Sequence, residues 1–449
     1  MPVNMNRGDT VLAGSVVTDG ALTARVTCPS LGSRLAQIAS LVDQALGTKP
    51  PIQRLADTAS AWFAIGILGV AILTALGWLM TGHTLAQAVL TSVAVLVVAC
   101  PCALGLATPL AMTVAVGRAA QAGVVIRNPE ALETAVQVGR MVFDKTGTLT
   151  RGQMSVVVVE VAPAAPAAEG LSEDQLLCLA AAVEQYSEHP IVRAIVAACR
   201  GPMPTAGEFQ SLRGMGASAR VGDGAGRRVM VGSTAFLGVD DASSLASSAR
   251  LHAEKGETVV WVGWDDAPAG FVALRDEANP TAPEALTQLA RAGIRQVMLS
   301  GDSQKTVESV AAELGLREFA GNWSPARKME QIRAWQAAGE RVGMAGDGVN
   351  DAPALAQADL SITVAGGTDV AGDTSDVVLM RNDLTLIPWF IGFSRRTRQI
   401  IRQNLGWAFA YNLVSVSLAA VGAITPVIAA VAMAASSLLV VGNSLRLQR

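Results

Sequence analysis

An aspartate followed by a short polar turn lies in the stretch MVFDKTGTLT, at positions 141–150. The apolar residues before Asp144 predict a buried strand that ends at this carboxylate. The turn after it contains Gly147, and exposed backbone N–H groups in such a turn can hold phosphate oxygens. A carboxylate placed there can act as a nucleophile and form an aspartyl phosphate. The stretch therefore predicts a phosphate-handling site at the end of a strand.

Acidic residues also end a second apolar run. Asp347 and Asp351 lie in GDGVND, where they can bring Mg²⁺ beside Asp144 and offset the charge of a phosphate that meets a carboxylate. Lys328 supplies a fixed cation for the same purpose.

The run RQVMLSGD adds Ser300 as a hydroxyl donor and Asp302 as a supporting carboxylate. Each of these motifs alone also suits an ordinary turn, because Asp and Gly are turn formers. Three acidic strand ends and a lysine within one alternation of strands and helices favour the catalytic interpretation.

Two cysteines flank a proline in CPC, inside an uncharged run from Thr84 to Gly117. A proline inside a membrane helix removes one backbone hydrogen bond and opens a cavity beside the neighbouring side chains. Thiolates are soft ligands that favour Cu(I), so Cys100 and Cys102 predict a copper site. The alternative is a pair of small packed thiols beside a kink.

Further candidate ligands lie near the C-terminus. Tyr411 and Asn412 fall in one apolar run, and Met433, Ser436 and Ser437 share one helical face in the next. A thioether is another soft donor. This face also suits simple packing, because small residues routinely line the contacts between membrane helices.

The composition is richer in apolar residues than that of an ordinary soluble protein, with 51% of the 449 residues hydrophobic and 16% charged. Uncharged runs predict two hairpins of membrane-spanning helices, at 57–118 and 396–449. Arginines border both hairpins on one side, whereas the tight turns carry no Lys or Arg. The positive-inside rule therefore predicts a cytoplasmic location for the termini and the middle segment, in a protein of the plasma membrane.

The middle segment has the pattern of a soluble α/β domain that a second domain interrupts. Apolar strand-like runs alternate with helical stretches over 119–152 and 271–395, which predicts a parallel sheet with crossover helices. Residues 153–270 break this alternation and predict an inserted α+β domain. The predicted fold class is a multidomain membrane protein, with α-helical transmembrane hairpins and this α/β core.

The order DKTGTLT, SGD, Lys328 and GDGVND resembles the signature set of the P-type ATPases. The phosphorylation domain of that family has a haloacid dehalogenase-like fold, and the inserted domain binds the nucleotide. The resemblance implies that Asp144 accepts the γ-phosphoryl group of ATP. It also implies that Mg²⁺ is held by Asp144, the carbonyl of Thr146 and Asp347. Phosphatases of the same broad fold have an Asp at the position of Thr146, and its replacement is expected to prolong the life of the acyl phosphate.

A second set of residues resembles the adenine site of the heavy-metal branch of this family. The set consists of Glu184 and His189 around SEHP, followed by Gly214 and Gly216 in RGMGAS. The resemblance implies that the histidine lies near the base and that the glycines let the nucleotide approach the backbone. Taken alone, His-Pro also suits a helix boundary and RGMG is a weak motif. Ser233 stands where that branch usually has Asn.

CPC, Tyr-Asn and Met-x-x-Ser-Ser together resemble the copper(I)-exporting subgroup, whereas zinc pumps would carry a Lys and an Asp in the last helices. The resemblance implies ATP-driven copper(I) export, with ATP and Mg²⁺ as cofactors and Cu⁺ as the transported ion. Asp57, just before the first span, resembles a carboxylate near metal entry and equally suits a solvated helix terminus. Two alternatives are a pump for zinc or another soft or transition metal, and a membrane protein that binds copper or nucleotide without pumping.

Residues 1–56 resemble part of an actuator domain, beginning just after the Thr-Gly-Glu loop whose glutamate activates water. If these 449 residues were the whole product, coupled transport would be expected to fail because the Thr-Gly-Glu loop would be missing.

Membrane lipid and a cytoplasmic copper donor are the expected partners, and the oligomeric state stays open. A net charge of −3 without long basic blocks argues against nucleic acid. Five cysteines in a long chain argue against a disulfide framework and for a reducing setting.

Overall fold

The computed structural model describes residues 25, 51–100, 102–162, 170–185, 190–212, 215–222, 226–240, 243–264, 267–347, 351–364 and 375–448. For residues 51–57, 59, 60, 102, 103 and 190 it describes the backbone alone. The α-helices of these regions are α1 Pro51–Met80, α2 Leu85–Val98, α3 Cys102–Ala122, α4 Ala131–Thr134, α5 Glu173–Glu184, α6 Pro190–Ala198, α7 Thr234–Leu237, α8 Ser244–Glu254, α9 Ala282–Arg291, α10 Gln304–Leu314, α11 Pro325–Ala337, α12 Ala352–Gln357, α13 Leu386–Ala420 and α14 Pro426–Leu445. The strands are β1 Val124–Ile126, β2 Arg140–Asp144, β3 Thr150–Val161, β4 Ala206–Leu212, β5 Gly216–Val221, β6 Arg227–Gly232, β7 Thr258–Trp264, β8 Ala267–Ala278, β9 Arg295–Leu299, β10 Glu318–Ala320, β11 Val342–Gly346, β12 Leu360–Val364 and β13 Val377–Leu379.

The chain divides into two compact units. The first comprises Met1–Val138, Asp359–Arg381 and Leu386–Arg449, and the second comprises Gly139–Ala358 and Asn382–Thr385. The first unit therefore contains the long apolar helices, and the second contains the predicted catalytic strand ends.

Long helices of the first unit pack through small side chains. Ala71 of α1, Ala94 of α2 and Ala429 of α14 are buried in one apolar cluster. Small residues let helix backbones approach closely, which is the usual packing device of membrane helices. Large apolar side chains lie on the outside instead: Leu73 is 69% exposed and Leu413 is 73% exposed. An apolar exterior of this kind suits a lipid environment.

Two of the described helices contain a stretch that is long and apolar enough to cross a membrane, Ala61–Met80 and Pro426–Gln448. The sequence predicted four spans. The second predicted span is divided at CPC, because α2 ends at Val98 after 14 residues and α3 begins at Cys102. The described chain therefore forms two helices around CPC rather than one bent helix.

The third predicted span belongs to a longer helix. α13 runs without a break over 35 residues, from Leu386 to Ala420. The predicted domain boundary between 395 and 396 falls inside this helix. The segment there, SRRTRQIIRQ, contains neither Gly nor Pro and favours continuation of the helix.

Four parallel strands form the catalytic sheet of the second unit, in the order β11-β2-β9-β10. All five residues of β2 are buried. The segment between β2 and β9 contains a second sheet, six-stranded and antiparallel, in the order β3-β8-β7-β6-β5-β4. The helices α5 and α6 supply buried residues to its apolar core, among them Leu176 and Ile195. The parallel alternation and the interrupting domain that the sequence predicted are both present.

The cysteines depart from expectation. Cys178 of α5 and Cys199, which follows α6, form a disulfide with their Cα atoms 5.0 Å apart. The expectation of a chain without a disulfide framework was wrong for this pair, because the packing of α5 against α6 brings together two residues that are 21 positions apart. Cys100 is also disulfide-bonded.

Candidate active site

Three neighbouring parallel strands end at the same edge of the catalytic sheet. Asp144 ends β2, Ser300 directly follows β9, and Asp347 directly follows β11. The strand register pairs Asp144 with Leu299 on one side of β2, and β11 is paired with β2 on the other side. Ligand sites of open α/β sheets form beyond the carboxyl ends of such strands. The three predicted motifs therefore meet at one edge.

A lysine from a separate helix completes this edge. Lys328 belongs to α11, and its Nζ lies 2.6 Å from Asp144 Oδ1 and 2.7 Å from Asp351 Oδ1. The three residues are 3%, 6% and 1% exposed respectively. A buried ammonium bridging two carboxylates fixes the position of the Asp144 side chain and offsets part of its charge.

Burial sets the ionisation of this cluster. Desolvation, together with the charge of Asp351, raises the pKa of Asp144 to about 7, although Lys328 opposes this rise. Burial alone would lower the pKa of Lys328, but the charges of both carboxylates and its hydrogen bonds to them raise it above its ordinary value. The lysine therefore stays protonated and holds a cation next to the candidate nucleophile.

The turn over residues 145–149 wraps around the carboxylate. The backbone N–H of Thr146 donates a hydrogen bond to Asp144 Oδ2 at 3.0 Å. Gly147 has φ +72°, and a Cβ there would lie 3.6 Å from the Cβ of Asp347. Gly152 has φ +67°, and a Cβ there would lie 3.1 Å from the Gly147 Cα. Two glycines are thus needed for the turn to fold back tightly against the site.

Asp302 organises the next strand end. Ser300 Oγ donates a hydrogen bond to Asp302 Oδ2 at 3.2 Å, and Asp302 N–H donates to Ser300 Oγ at 3.1 Å. Asp302 also forms an ion pair with Lys145. The sequence analysis placed Ser300 and Asp302 here and missed Lys145, although it follows Asp144 directly in DKTG. The signal that could have found it is the position of Lys145 directly beside the candidate nucleophile, because a lysine that packs into such a turn needs a carboxylate partner.

Asp276 was also missed. Its Oδ2 accepts a hydrogen bond from Thr150 Oγ1 at 2.5 Å, and burial raises its pKa. It lies near the end of β8 and therefore joins β8 to the start of β3, the neighbouring strand of the inserted sheet, directly after the catalytic turn. Nothing in the local motif LRDEANP marks it, because its partner lies 126 positions away.

A cavity of about 350 Å³ opens beside the catalytic turn within the second unit. Both sheets contribute to its walls: Lys145, Thr146 and Asp302 come from the catalytic side, and Lys255 and Arg275 come from the inserted domain. Three cationic side chains line this cavity, and so do the carboxylates of Glu257, Asp276, Asp302 and Glu313, so its charge is mixed.

The predicted adenine-site residues are placed only in part. Glu184 ends α5 and is 8% exposed, and burial raises its pKa to about 7. His189 and Gly214 lie outside the described residues. At Gly216 a Cβ would lie 2.3 Å from the carbonyl oxygen of Val231, so close strand packing already requires glycine there. Ser233 precedes α7, and its N–H donates to the carbonyl of Met215 at 2.8 Å.

The predicted metal ligands lie along the helices of the first unit. Cys100 is half-buried between α2 and α3, whereas the side chains of Cys102 and Asp57 lie outside the described ones. The regions that the structure describes contain no group of three His, Cys, Asp or Glu side chains that could hold a metal ion.

Polar groups of the last two helices point inward. Asn412 is 4% exposed, and Met433 is half-buried. The hydroxyls of Tyr411 and Ser436 are buried, and neither has a hydrogen-bond partner among the described residues. Thr108 of α3, which the sequence analysis did not single out, shares this condition. A buried hydroxyl without a partner is costly and calls for an explanation, such as a ligand or an ordered water molecule.

Comparisons with known proteins agree on a family. Residues 140–359 match the haloacid dehalogenase-like hydrolases. The whole chain is 43% identical to the "Probable copper-exporting P-type ATPase V" of Mycobacterium tuberculosis and covers 58% of it. It is 40% identical to the "Cation-transporting P-type ATPase B" of Mycobacterium bovis and covers 59% of it. The crystal structure of a zinc-transporting PIB-type ATPase in the E2.Pi state has a TM-score of 0.75 and 33% identity, over 94% of this chain and 68% of that one.

The chain belongs to the heavy-metal P-type ATPases. The predicted fold class is confirmed by the hydrolase match and by the similarity to the PIB-type structure. P-type ATPases are integral membrane proteins whose catalytic domains are cytoplasmic, and they use ATP and Mg²⁺. The chain spans 58% of the length of the curated relative that it matches at 43% identity.

The catalytic edge of this heavy-metal P-type ATPase fits a magnesium ion. Asp351 Oδ2 is buried and has no hydrogen-bond partner among the described residues. The charge of Asp347 contributes to the raised pKa of Asp144, so these carboxylates are close enough to interact. Mg²⁺ prefers oxygen ligands and is usually held by one or two carboxylates together with phosphate oxygens and water. The donors present are of that kind.

Proposed function

We propose that this protein uses ATP hydrolysis to move copper(I) across a membrane, through an aspartyl phosphate on Asp144 and in the direction of export from the cytoplasm. The chemistry is carried by one observation, the buried Lys328 ammonium that bridges Asp144 and Asp351 at the end of the catalytic strands.

Phosphoryl transfer begins with Asp144 as a carboxylate. One of its oxygens attacks the γ-phosphorus of ATP, the bond between that phosphorus and the β–γ bridging oxygen breaks, and ADP leaves with the electron pair. Lys328 offsets the negative charge that gathers as phosphate and carboxylate meet. The N–H of Thr146 orients the carboxylate, and Ser300 lies at the neighbouring strand end as a donor to phosphate oxygens.

Hydrolysis of the aspartyl phosphate requires a water molecule and a base. Water attacks phosphorus, the bond from phosphorus to the Asp144 oxygen breaks, and the carboxylate is restored as phosphate leaves. Because position 146 is Thr rather than an acid, the proton of that water must go to a group other than residue 146. The intermediate therefore persists long enough to be coupled to a conformational step.

Mg²⁺ and ATP would bind to different sets of residues. Bound Mg²⁺ would neutralise charge between phosphate and carboxylate, held by Asp144, Asp347 and the Thr146 carbonyl, with Asp351 in support. For ATP, we assign the adenine end to Glu184, His189, Gly214 and Gly216, as the family resemblance implies. The cavity beside the catalytic turn, which Lys145 lines, would take the phosphate end.

Copper(I) is the proposed substrate. Its ligands would come from Cys100 and Cys102 in their reduced form, with Tyr411, Asn412, Met433 and Ser436 around them. Support comes from the soft sulfur donors, from the buried hydroxyls without partners, and from relatives that are named as copper-exporting.

Labelled ATP tests the phosphorylation step. The purified chain is expected to form an acid-stable, hydroxylamine-labile phosphoenzyme that Asp144→Asn abolishes, while Glu284→Gln, the same type of change on an exposed surface, leaves it intact. Retention of the label in Asp144→Asn would place the phosphate elsewhere. ATP binding without any phosphoenzyme would favour the alternative of a protein that binds nucleotide without pumping.

Zinc is the alternative substrate, because two similar solved structures are those of a zinc-transporting ATPase. Phosphoenzyme formation with Cu(I) or Zn²⁺ separates the two. Stimulation by Cu(I) that is lost in Cys100→Ser and in Cys102→Ser supports copper. Stimulation by Zn²⁺ alone supports zinc.

A further inference from the structure

A cavity of about 460 Å³ lies against the N-terminal half of α13 in the first unit. Its described lining contains three arginines, two glutamines and one valine: Arg395, Arg398, Arg402, Gln399, Gln403 and Val136. Neither the copper pathway nor the catalytic edge uses these residues. No acidic side chain lines this cavity in the described part of the chain.

The three arginines lie on one face of a single helix. Arg395, Arg398 and Arg402 are spaced at i, i+3 and i+7, which places their side chains above one another over about 10 Å of helix axis. Gln399 and Gln403 extend the same wall with amide donors. The cavity is therefore lined by donors that match the oxygens of an anion.

An adjoining smaller cavity contains one compensating charge. Glu133 lines it together with Arg398 and Arg402. One carboxylate against three guanidinium groups leaves an excess of two positive charges around the pair of cavities. A net attraction for an anion therefore remains.

The position of this wall relative to the apolar helices indicates the type of anion. Arg396 donates a hydrogen bond to the carbonyl of Arg446 at 2.8 Å, and Asn443 donates one to Gln403 Oε1 at 3.3 Å. The C-terminal end of the span Pro426–Gln448 thus lies level with the arginine turn of α13. Beyond Gln403, α13 continues to Ala420 without a charged residue.

The arginine turn therefore coincides with the boundary between the apolar part of the bundle and water. Phosphate groups of phospholipids lie at that depth, whereas a free anion would have no reason to be concentrated there. Guanidinium groups bind phosphate oxygens bidentately.

We propose that the cavity formed by Arg395, Arg398, Arg402, Gln399 and Gln403 binds the phosphate headgroup of an anionic phospholipid. Phosphatidylcholine also has a phosphate, but its choline cation cancels the charge and is repelled by the arginines. Phosphatidylglycerol has no such cation, and its hydroxyls suit the two glutamine amides. The site selects lipids by charge and holds the arginine end of α13 at the bilayer surface. This proposal depends on membrane insertion and not on the transported metal or on phosphorylation.

Lipid binding to the full chain tests the proposal without ATP or metal. Native mass spectrometry in neutral detergent compares dioleoylphosphatidylglycerol with dioleoylphosphatidylcholine. We expect a preference for phosphatidylglycerol of about 100-fold, since each of the three arginines near such a headgroup contributes about fivefold. The preference should weaken as ionic strength rises, because salt screens the attraction.

Variants locate the site. The triple variant Arg395→Gln, Arg398→Gln and Arg402→Gln is expected to bind both lipids alike. The matched control changes three exposed arginines of the second unit, Arg200→Gln, Arg291→Gln and Arg317→Gln, and removes the same charge. It is expected to keep the preference. A cavity variant that retains the preference overturns the proposal, and so does equal binding of both lipids by the unmodified chain.

Inorganic phosphate distinguishes a lipid site from a site for free anions. Phosphate at the concentration of the lipid is expected to leave phosphatidylglycerol bound, because the acyl chains hold the lipid at the boundary. Displacement at equal concentration would overturn the assignment to a lipid. If the cavity variant does not fold, the lipid preference of the unmodified chain and its salt dependence decide the matter. Loss of phosphoenzyme with the lipid preference intact would leave this site standing and remove the proposed function instead.

Discussion

Lys328 Nζ lies 2.6 Å from Asp144 Oδ1, and both side chains are buried. The two residues are 184 positions apart in the sequence. Their contact joins the aspartate at the end of β2 and a lysine of α11 in one ion pair. The charge of the pair is shared with Asp351, so removal of the lysine would leave two buried carboxylates facing each other.

Replacement of Lys328 should affect both phosphoenzyme formation and stability, and the two effects can be measured separately. Lys328→Ala is expected to lower phosphoenzyme formation about 100-fold, because a fixed cation no longer offsets the charge of the approaching phosphate. It should also destabilise the second unit, because two carboxylates lose their partner. Radiolabelling and thermal unfolding measure the two effects.

Two further variants sharpen this test. Lys328→Ala combined with Asp351→Asn should recover much of the stability and none of the phosphorylation. Lys305→Ala, on the exposed face of α10, should leave both unchanged. Normal phosphoenzyme levels in a folded Lys328→Ala protein would contradict the role given to Lys328.

The catalytic turn depends on Gly152, which lies near the start of β3 in the inserted sheet. Gly152→Ala is expected to reduce phosphoenzyme formation strongly, because the new Cβ would lie 3.1 Å from the Gly147 Cα and push the turn away from Asp347. Gly315→Ala is the matched control: its φ of +69° is nearly the same as the +67° of Gly152, but nothing lies within 4 Å of its Cβ. Both variants should lose about 1 kcal/mol of stability from the positive φ. Equal phosphoenzyme levels in Gly152→Ala and Gly315→Ala would contradict the prediction, because the site would then tolerate a displaced turn.

Because of Glu184, the free energy of unfolding should fall as the pH rises. The pKa of Glu184 in the folded protein is raised from 4.5 to about 7 by burial. Below about pH 4.5 both the folded and the unfolded states are protonated; between about 4.5 and about 7 only the unfolded state loses the proton, so unfolding becomes more favourable. The effect is on the order of 3 kcal/mol.

Urea unfolding at about pH 5 and about pH 8 measures this effect. Glu184→Gln should remove this part of the pH dependence, and Glu308→Gln, on an exposed helical face, should keep it. An identical pH dependence in Glu184→Gln and the unmodified protein would contradict the prediction.

The disulfide should stabilise the inserted domain. Cys178 and Cys199 close a loop of 21 positions that contains the end of α5 and all of α6. Closure of a loop of this length is worth about 3 kcal/mol, because it restricts the unfolded chain. Cys178→Ser should therefore lower the free energy of unfolding by about that amount under oxidising conditions and change little under reducing ones. A stability that does not respond to a reductant in the unmodified protein would show that the two thiols are not paired in solution.

Much of this architecture was predictable from local patterns. Apolar runs that end in Asp or Ser marked the strands β2, β9 and β11, and their parallel pairing follows from the alternation with helices. The interrupting sheet followed from the loss of that alternation. The continuity of α13 through its arginines did not follow, because a change from polar to apolar composition resembles a domain boundary although the backbone remains helical.

Contacts between distant positions were beyond these patterns. Asp276 and Thr150 are 126 positions apart, and the Cys178–Cys199 pair depends on how two helices pack. Neither pair has a local signature. The roles assigned to the site residues stay predictions, and for Cys102, His189 and Gly214 the side chains or backbones also lie outside the described residues.

The sequence by itself determined the chemical inventory: a nucleophilic carboxylate before a glycine turn, further acids and a lysine at set positions, soft donors in apolar helices, and strands and helices in an order that makes a parallel sheet. Those properties depend on residue type and short-range spacing. Only the tertiary structure decided that Lys328 bridges Asp144 and Asp351, that burial raises the pKa of Asp144 to about 7, and that arginines of α13 line one cavity. Distance, burial and dielectric environment arise from packing between remote segments, and a linear pattern contains no measure of them.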